Sequence, residues 1–215
     1  MPERVKFDQR GLVPCISQDA ATGEVLTLAY MNEEALRRTL ASRELHFWSR
    51  SREAIWHKGE SSGNVQRLRQ LRYDCDGDAL LALVDPAGPA CHTGERSCFY
   101  RDLEGSADPA PNGAAAAGEP EPLAGEALAE LERTLAQRRR ERPDGSYTVE
   151  LLDDPELIGV KIREEAAEVA HAIAEESDER IAEEAADVIY HLEVGLISRG
   201  VPLSRALDVL NERRR

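Results

Sequence analysis

The stretch DCDGDALLALVDPAGPACHTGERSC, residues 74–98, holds three of the chain's four cysteines and three aspartates two residues apart. In an extended segment successive side chains point to opposite faces, so Asp74, Asp76 and Asp78 would share one side and Cys75 the other. A turn at Asp76-Gly77 would still leave the carboxylates crowded. Three anions so close repel unless a cation or a basic residue sits among them, and hard oxygen ligands favour Mg²⁺ or Ca²⁺. The plain alternative is a polar hairpin tip. An EF-hand loop is excluded, because Ala79 stands where the loop needs glycine and Asp85 where it needs glutamate.

Cys91 and Cys98 enclose HTGERS, too wide for a zinc-ribbon knuckle, and Cys75 lies sixteen residues earlier. Three thiolates match a catalytic zinc, whose open fourth position takes a water and lowers its pKa towards ~7. His92 is then a base beside the site or the fourth ligand of a closed one, and buried apolar cysteines are the alternative. Cys15, among the apolar neighbours of GLVPCISQD, reads as a buried thiol. Upstream, FWSRSREAIWHKGESSGNVQ brings together Arg50, Arg52, Lys58, Glu60, Ser61, Ser62 and Asn64. Cationic forks, hydroxyls and an amide on loops suit phosphate and ribose recognition. A solvated hairpin with surface arginines is the bland reading.

A second acidic set lies in KIREEAAEVAHAI. Glu165 and Glu168 are three apart on a helix, with Glu164 one turn before Glu168. Glu184 and Asp187 repeat the spacing on the next expected helix. Four carboxylates from two facing helices could enclose Mg²⁺ ions that bridge to a pyrophosphate. Acidic, solvated helix faces produce the same spacing by chance.

The elements that must position these groups differ between the two halves. EVLTLAY, ELHFWS, EAIWH, VQRLRQLRYDC and ALLALVD read as strands separated by turn signals, and NEEALRRTLAS as a helix capped by Asn32. Residues 1–104 are therefore expected to form a mainly β (α+β) domain. Residues 105–122, GSADPAPNGAAAAGEPEP, read as a flexible linker. Residues 123–215 carry apolar positions three and four apart in LAGEALAELERTLAQRRRER, GVKIREEAAEVAHAIAEES, DERIAEEAADVIYHLEVGLISRG and PLSRALDVLNERR, the pattern of an all-α bundle.

The net charge of −14 is uneven. Residues 1–104 hold 14 basic against 16 acidic side chains, and residues 105–215 hold 13 against 25. Such acidity argues against nucleic-acid binding, which needs a basic footprint. With 41% hydrophobic and 32% charged residues and no apolar run near ~18 residues, no membrane span is expected. The N-terminus MPERVKFDQRG lacks the apolar region of a signal peptide, so a cytoplasmic protein with reduced cysteines is expected.

LAYMNEEAL, FWSRSR, WHKGESSGN, DCDGDALLALV and CHTGERSCF, in this order and spacing, resemble the phosphoribosyl-AMP cyclohydrolase family of histidine biosynthesis over nearly all of residues 5–103. The resemblance implies that Cys75, Cys91 and Cys98 bind Zn²⁺ across a homodimer interface and that Asp74, Asp76 and Asp78 bind Mg²⁺. It gives His92 a catalytic role and sets Arg50, Arg52, Lys58, Glu60, Ser62 and Asn64 against the substrate. Ser61 stands where Thr is common and keeps the hydroxyl. In the implied chemistry, water activated at zinc attacks C6 of a purine made cationic by its N1 ribosyl group, His92 takes a proton, and the N1–C6 bond opens. The fourth zinc position is assigned to water.

SYTVELL, KIREEAAEV and EEAADVIYHL, within residues 123–214, are similar to the phosphoribosyl-ATP pyrophosphohydrolases, which belong with the all-helical nucleotide pyrophosphatases. Glu165, Glu168, Glu184 and Asp187 would hold Mg²⁺, Glu164 would orient or deprotonate water, and Lys161 would meet phosphate. The acidic motif is shared with housecleaning nucleotide pyrophosphatases, so it specifies the reaction better than the substrate. Together the two resemblances imply a bifunctional hydrolase of nucleotide substrates in which one half's product is the other's substrate. The rival expectations are a general nucleotide pyrophosphatase in the helical half and a structural zinc clip in the other.

Overall fold

The computed structural model describes residues 4–101 and 124–214. The chain divides into two compact units, residues 1–122 and 123–215. The expected linker, residues 105–122, lies outside the described residues.

Among the described residues the first unit is a six-stranded sheet with one helix. Its strands are β1 (Val13–Asp19), β2 (Val25–Met31), β3 (His46–Ser49), β4 (Ala54–His57), β5 (Gln66–Tyr73) and β6 (Leu80–Pro86), in the order β4-β3-β2-β1-β6-β5. Only β1 and β6 run parallel, with Cys15 opposite Leu80; the other neighbours are antiparallel. All five strand runs and the helix expected from the sequence are present. β1 had no counterpart among them, because VPCISQD contains a proline and buries the polar Ser17 and Asp19. Pro14 is tolerated there because it precedes the first residue of the parallel ladder to β6.

Helix α1 (Glu33–Ser42) starts where Asn32 accepts a hydrogen bond from the Ala35 N–H at 2.8 Å. It docks on β3 through Thr39, whose hydroxyl accepts from the His46 N–H at 2.9 Å. Val13, Leu26, Met31, Leu45, Phe47 and Val84 are fully buried in the core of this unit. Each large apolar side chain so buried contributes roughly 2 kcal/mol. Cys15 lies in this core as expected, and burial pushes its thiol up to about 12.

The second unit is helical: α2 (Ala127–Glu141), α3 (Tyr147–Asp153), α4 (Pro155–Glu175), α5 (Asp178–Ser198) and α6 (Leu203–Glu212). The four expected helices are present. α4 begins earlier than its apolar periodicity suggests, at a start signal in DPEL: Asp154 accepts from the N–H groups of Glu156 and Leu157, and Pro155 occupies the first turn. α3 is short and carries the β-branched Thr148 and Val149, a weak helix signal. Two residues join α4 to α5, with Ser177 capping α5, which makes the two helices packed neighbours. Leu135, Leu151, Ile158, Val194 and Ile197 form the core that fixes their faces. No described helix is long and apolar enough to cross a membrane.

Candidate active sites

In the sheet unit, residues 74–79 connect β5 to the paired strand β6 as a turn and not as extended chain. The Asp74 carboxylate accepts from the N–H groups of Gly77 at 2.9 Å and Ala79 at 3.2 Å. Gly77, at φ 83, lies so close to Arg4 that a Cβ would stand 2.4 Å from the Arg4 carbonyl oxygen. The turn therefore needs glycine. Asp74, Asp76 and Asp78 each offer an oxygen within 4.8 Å of the others, a group that could hold a metal ion. Mutual repulsion raises Asp78, through the charge of Asp76 first and then Asp74. Desolvation pushes Asp74 upward, but the Ala79 N–H, the neighbouring acids and the Gly77 N–H outweigh it and hold Asp74 below the ordinary carboxylate value.

Cys91 and Cys98 sit on the segment after β6. This segment is fastened by hydrogen bonds from Ala90 N–H to Arg96 O, Cys91 N–H to Glu95 O and Cys98 N–H to Leu26 O, the last at 2.8 Å. Arg96 bridges it to Asp19 and Glu24, and the Ser97 hydroxyl donates to the Val25 carbonyl at 2.7 Å. The two thiols meet in a cleft of 570 Å³ lined by Arg52, Lys58, Glu60, Ser62, Asn64 and His92, and further by Thr27, Trp56 and His57. The two thiols are shifted in opposite directions. Desolvation opposes ionisation of Cys91, yet hydrogen bonds from the Thr93 side chain and backbone, Cys98 and the His92 backbone lower its pKa; Cys98 is raised, chiefly by desolvation.

Lys58 donates from Nζ to the Ala90 carbonyl at 2.5 Å and so ties β4's end to the cysteine segment. Gly59, at φ 89, passes so close to Asn64 that a Cβ would be 2.4 Å from its carbonyl carbon. Two expected residues lie elsewhere. Arg50 stacks over the Tyr30 ring at 4.1 Å and does not line the cleft. Cys75 is exposed on the β5–β6 turn and forms no group of three ligands with Cys91 and Cys98 among the described residues. The sequence also left out His57, which lines the cleft with Nε2 2.8 Å from a Glu44 oxygen and its ring stacked on His46 at 4.6 Å. Its position next to Lys58 in WHKG was the available signal.

In the helical unit, Glu165 of α4 and Glu184 and Asp187 of α5 bring carboxylate oxygens within 4.8 Å of one another. The helical spacing turns these residues to one face of each helix. Glu168 is exposed and not part of that group. Arg180 spreads its guanidinium over Glu176, Glu183 and Glu184, which offsets the local charge. Lys161 donates to Glu164 at 2.8 Å and stands 3.9 Å from Glu165, and the Glu164 hydrogen bond raises its pKa. His191 and Tyr147 also border the group, with His191 Nδ1 4.0 Å from a Glu165 oxygen. His191 follows Asp187 by one turn, a spacing that could have pointed to it.

Oxygen-only donor sets suit a hard cation, and two thiols facing one cleft suit a softer one. Both donor sets therefore fit metal-assisted hydrolysis.

A family model described as phosphoribosyl-AMP cyclohydrolase matches residues 27–100, and one described as phosphoribosyl-ATP pyrophosphohydrolase matches residues 128–214. The histidine biosynthesis bifunctional protein HisIE of Bacillus subtilis (strain 168) is 46% identical over 98% of this chain and 95% of its own length. The proteins of the same name from Thermus thermophilus and Synechocystis sp. are 44% and 43% identical, over 98% and 99% of this chain and 92% and 94% of their own lengths. With both family models and these relatives spanning the two units, the chain belongs to the bifunctional histidine-biosynthesis family and is a bifunctional hydrolase.

Proposed function

We infer that the helical unit hydrolyses phosphoribosyl-ATP to phosphoribosyl-AMP and pyrophosphate, and that the sheet unit then opens the adenine ring of phosphoribosyl-AMP. The observation that carries the reading is the pairing of two unlike donor sets with two family matches: an all-carboxylate group in residues 128–214 and a thiol-lined cleft in residues 27–100. The domain division is read as cyclohydrolase in residues 1–104 and pyrophosphohydrolase, an all-α nucleotide-pyrophosphatase bundle, in residues 123–215.

In the helical unit Glu165, Glu184 and Asp187 would hold Mg²⁺, with Glu168 completing the set from the same helix as Glu165. The bound ion supplies charge neutralisation and polarisation at the pyrophosphate. Glu164 holds Lys161 at 2.8 Å, and that lysine has donors left for a phosphate oxygen. Glu164 is also the carboxylate assigned to receive the proton of the attacking water.

In the sheet unit Cys91 and Cys98 would supply two zinc ligands and Cys75 of the partner subunit a third. The exposure of Cys75 and its separation from the other two support that division. A zinc ion held by these thiols would supply an activated water for the attack at C6. His92, flanking Cys91 in the cleft, takes the proton, and Arg52, Lys58, Ser62 and Asn64 hold phosphate and ribose, with Glu60 beside them. Asp74, Asp76 and Asp78 take a Mg²⁺ ion. A homodimer is further supported by apolar surface on the helical unit: Ile173 is 66% exposed and Leu192 45%. Free thiols at all four cysteines suit a cytoplasmic protein.

Hydrolysis of phosphoribosyl-ATP compared with ordinary nucleoside triphosphates tests the assignment. Strong preference for phosphoribosyl-ATP is expected; equal rates would make the helical unit a general nucleotide pyrophosphatase.

A further inference from the structure

His191 and Tyr147 stand outside the proposed ligand set, yet they are ordered against it. His191 is 5% exposed. Its Nδ1 is 2.8 Å from the backbone carbonyl oxygen of Asp187, a group that can only accept, so Nδ1 carries a proton. In the neutral ring Nε2 is then an acceptor, and it lies 3.2 Å from the Tyr147 hydroxyl, whose proton must point to it. The imidazole is set edge-on to both Tyr147 and Tyr190, which fixes its plane. Tyr190 is itself held by the Thr148 hydroxyl at 2.9 Å.

This arrangement gives Tyr147 a defined polarity. With the imidazole neutral, the hydroxyl proton points to Nε2 and the oxygen keeps lone pairs for another donor; the residue is 43% exposed. The hydroxyl is linked to the acidic group through His191, whose Nδ1 is 4.0 Å from a Glu165 oxygen. An acceptor oxygen beside carboxylates repels a phosphate oxygen and suits a neutral O–H or N–H donor.

We propose that Tyr147 contacts the nucleotide in the helical unit's site, its hydroxyl oxygen accepting a hydrogen bond from an O–H or N–H group of the nucleoside, and that His191 is the positioning residue that turns it. The proposal rests on the acidic group being the pyrophosphohydrolase site. A ribose hydroxyl and the exocyclic amine of the base share this donor chemistry.

The test uses the full chain. Tyr147→Phe raises the KM for phosphoribosyl-ATP roughly tenfold, the size of one net hydrogen bond, and leaves kcat within about twofold. Equilibrium binding in a Glu165→Gln background, where turnover stops, weakens by the same factor when Tyr147→Phe is added. Without any substrate, the ¹⁵N resonance of His191 Nε2 moves in Tyr147→Phe as its hydrogen bond is lost. His191→Leu reproduces the KM effect, and His191→Gln, which keeps an acceptor, restores part of it. A substrate with a deoxyribose in the ATP part separates the donors: its loss is absorbed by Tyr147→Phe if the ribose is bound and adds to it if the amine is. Unchanged KM and affinity in a folded Tyr147→Phe protein would overturn the proposal. Pyrophosphate release by Glu165→Gln would overturn the site assignment beneath it, and the proposal with it.

Discussion

Glu193 of α5 is 2% exposed, and neither carboxylate oxygen has a hydrogen-bond partner among the described residues. Burial first, and then the charge of Glu132, push its pKa from 4.5 up to about 7. Glu132 is engaged at the start of α6, accepting from the Leu203 N–H at 2.9 Å. Because the folded-state pKa is raised, the folded chain keeps a proton that the unfolded chain loses between these two values. Stability is then full below about pH 4.5, falls as pH rises towards about 7, and levels off above it. The gap between the two values corresponds to about 3 kcal/mol, a large share of the stability of a domain this size. Glu193→Met, unbranched and of similar length, should abolish the slope and stabilise the helical unit by up to about 3 kcal/mol above neutrality. Urea unfolding from about pH 5 to about pH 8, followed by far-ultraviolet circular dichroism, reads the helices. Both tryptophans, Trp48 and Trp56, lie in the sheet unit, so their fluorescence is an internal control that should not respond. Parallel pH profiles for wild type and Glu193→Met in the helical transition would refute the reasoning.

Other consequences test the sheet unit. Cys98→Ser should abolish bound zinc and ring opening together while pyrophosphate release persists, measured by metal analysis and both activities. Gly59→Ala should eliminate ring opening, since a Cβ there would stand 2.4 Å from backbone atoms at a φ of 89. Gly63→Ala, at φ 78 with open space around it, should cost only the roughly 1–2 kcal/mol of left-handed strain. Asn32→Ala removes the cap of α1 and should lower the tryptophan-monitored transition by about 1 kcal/mol.

Much of this was legible in the sequence because it was local. Alternation and turn residues marked β2 to β6, Asn32 marked α1, and apolar spacing marked the long helices. The pairing of β1 with β6 was not legible, since a parallel ladder leaves no hairpin signal and VPCISQD spends its buried face partly on Ser17 and Asp19. The aspartate triplet clustered as its spacing suggested, although the turn that gathers it is set by Gly77 and the N–H groups it frees. Cys91 and Cys98 converge through a fastening that joins residues far apart in sequence, Arg96 to Asp19 and Glu24. Tyr147 gains its place from His191, a partner distant in sequence, whereas His57 and His191 carried local signals, the neighbouring Lys58 and the one-turn spacing from Asp187. The stacking of Arg50 on Tyr30 was not legible, since it joins residues twenty positions apart.

The most direct measurement supplies phosphoribosyl-ATP to the purified chain with Mg²⁺ and Zn²⁺ and follows pyrophosphate and the ring-opened product in one reaction. Wild type should form both, and Glu165→Gln should form neither from phosphoribosyl-ATP while still opening added phosphoribosyl-AMP. Pyrophosphate release by Glu165→Gln, or loss of its ring opening from phosphoribosyl-AMP in a folded protein, would contradict two separate sites in one chain.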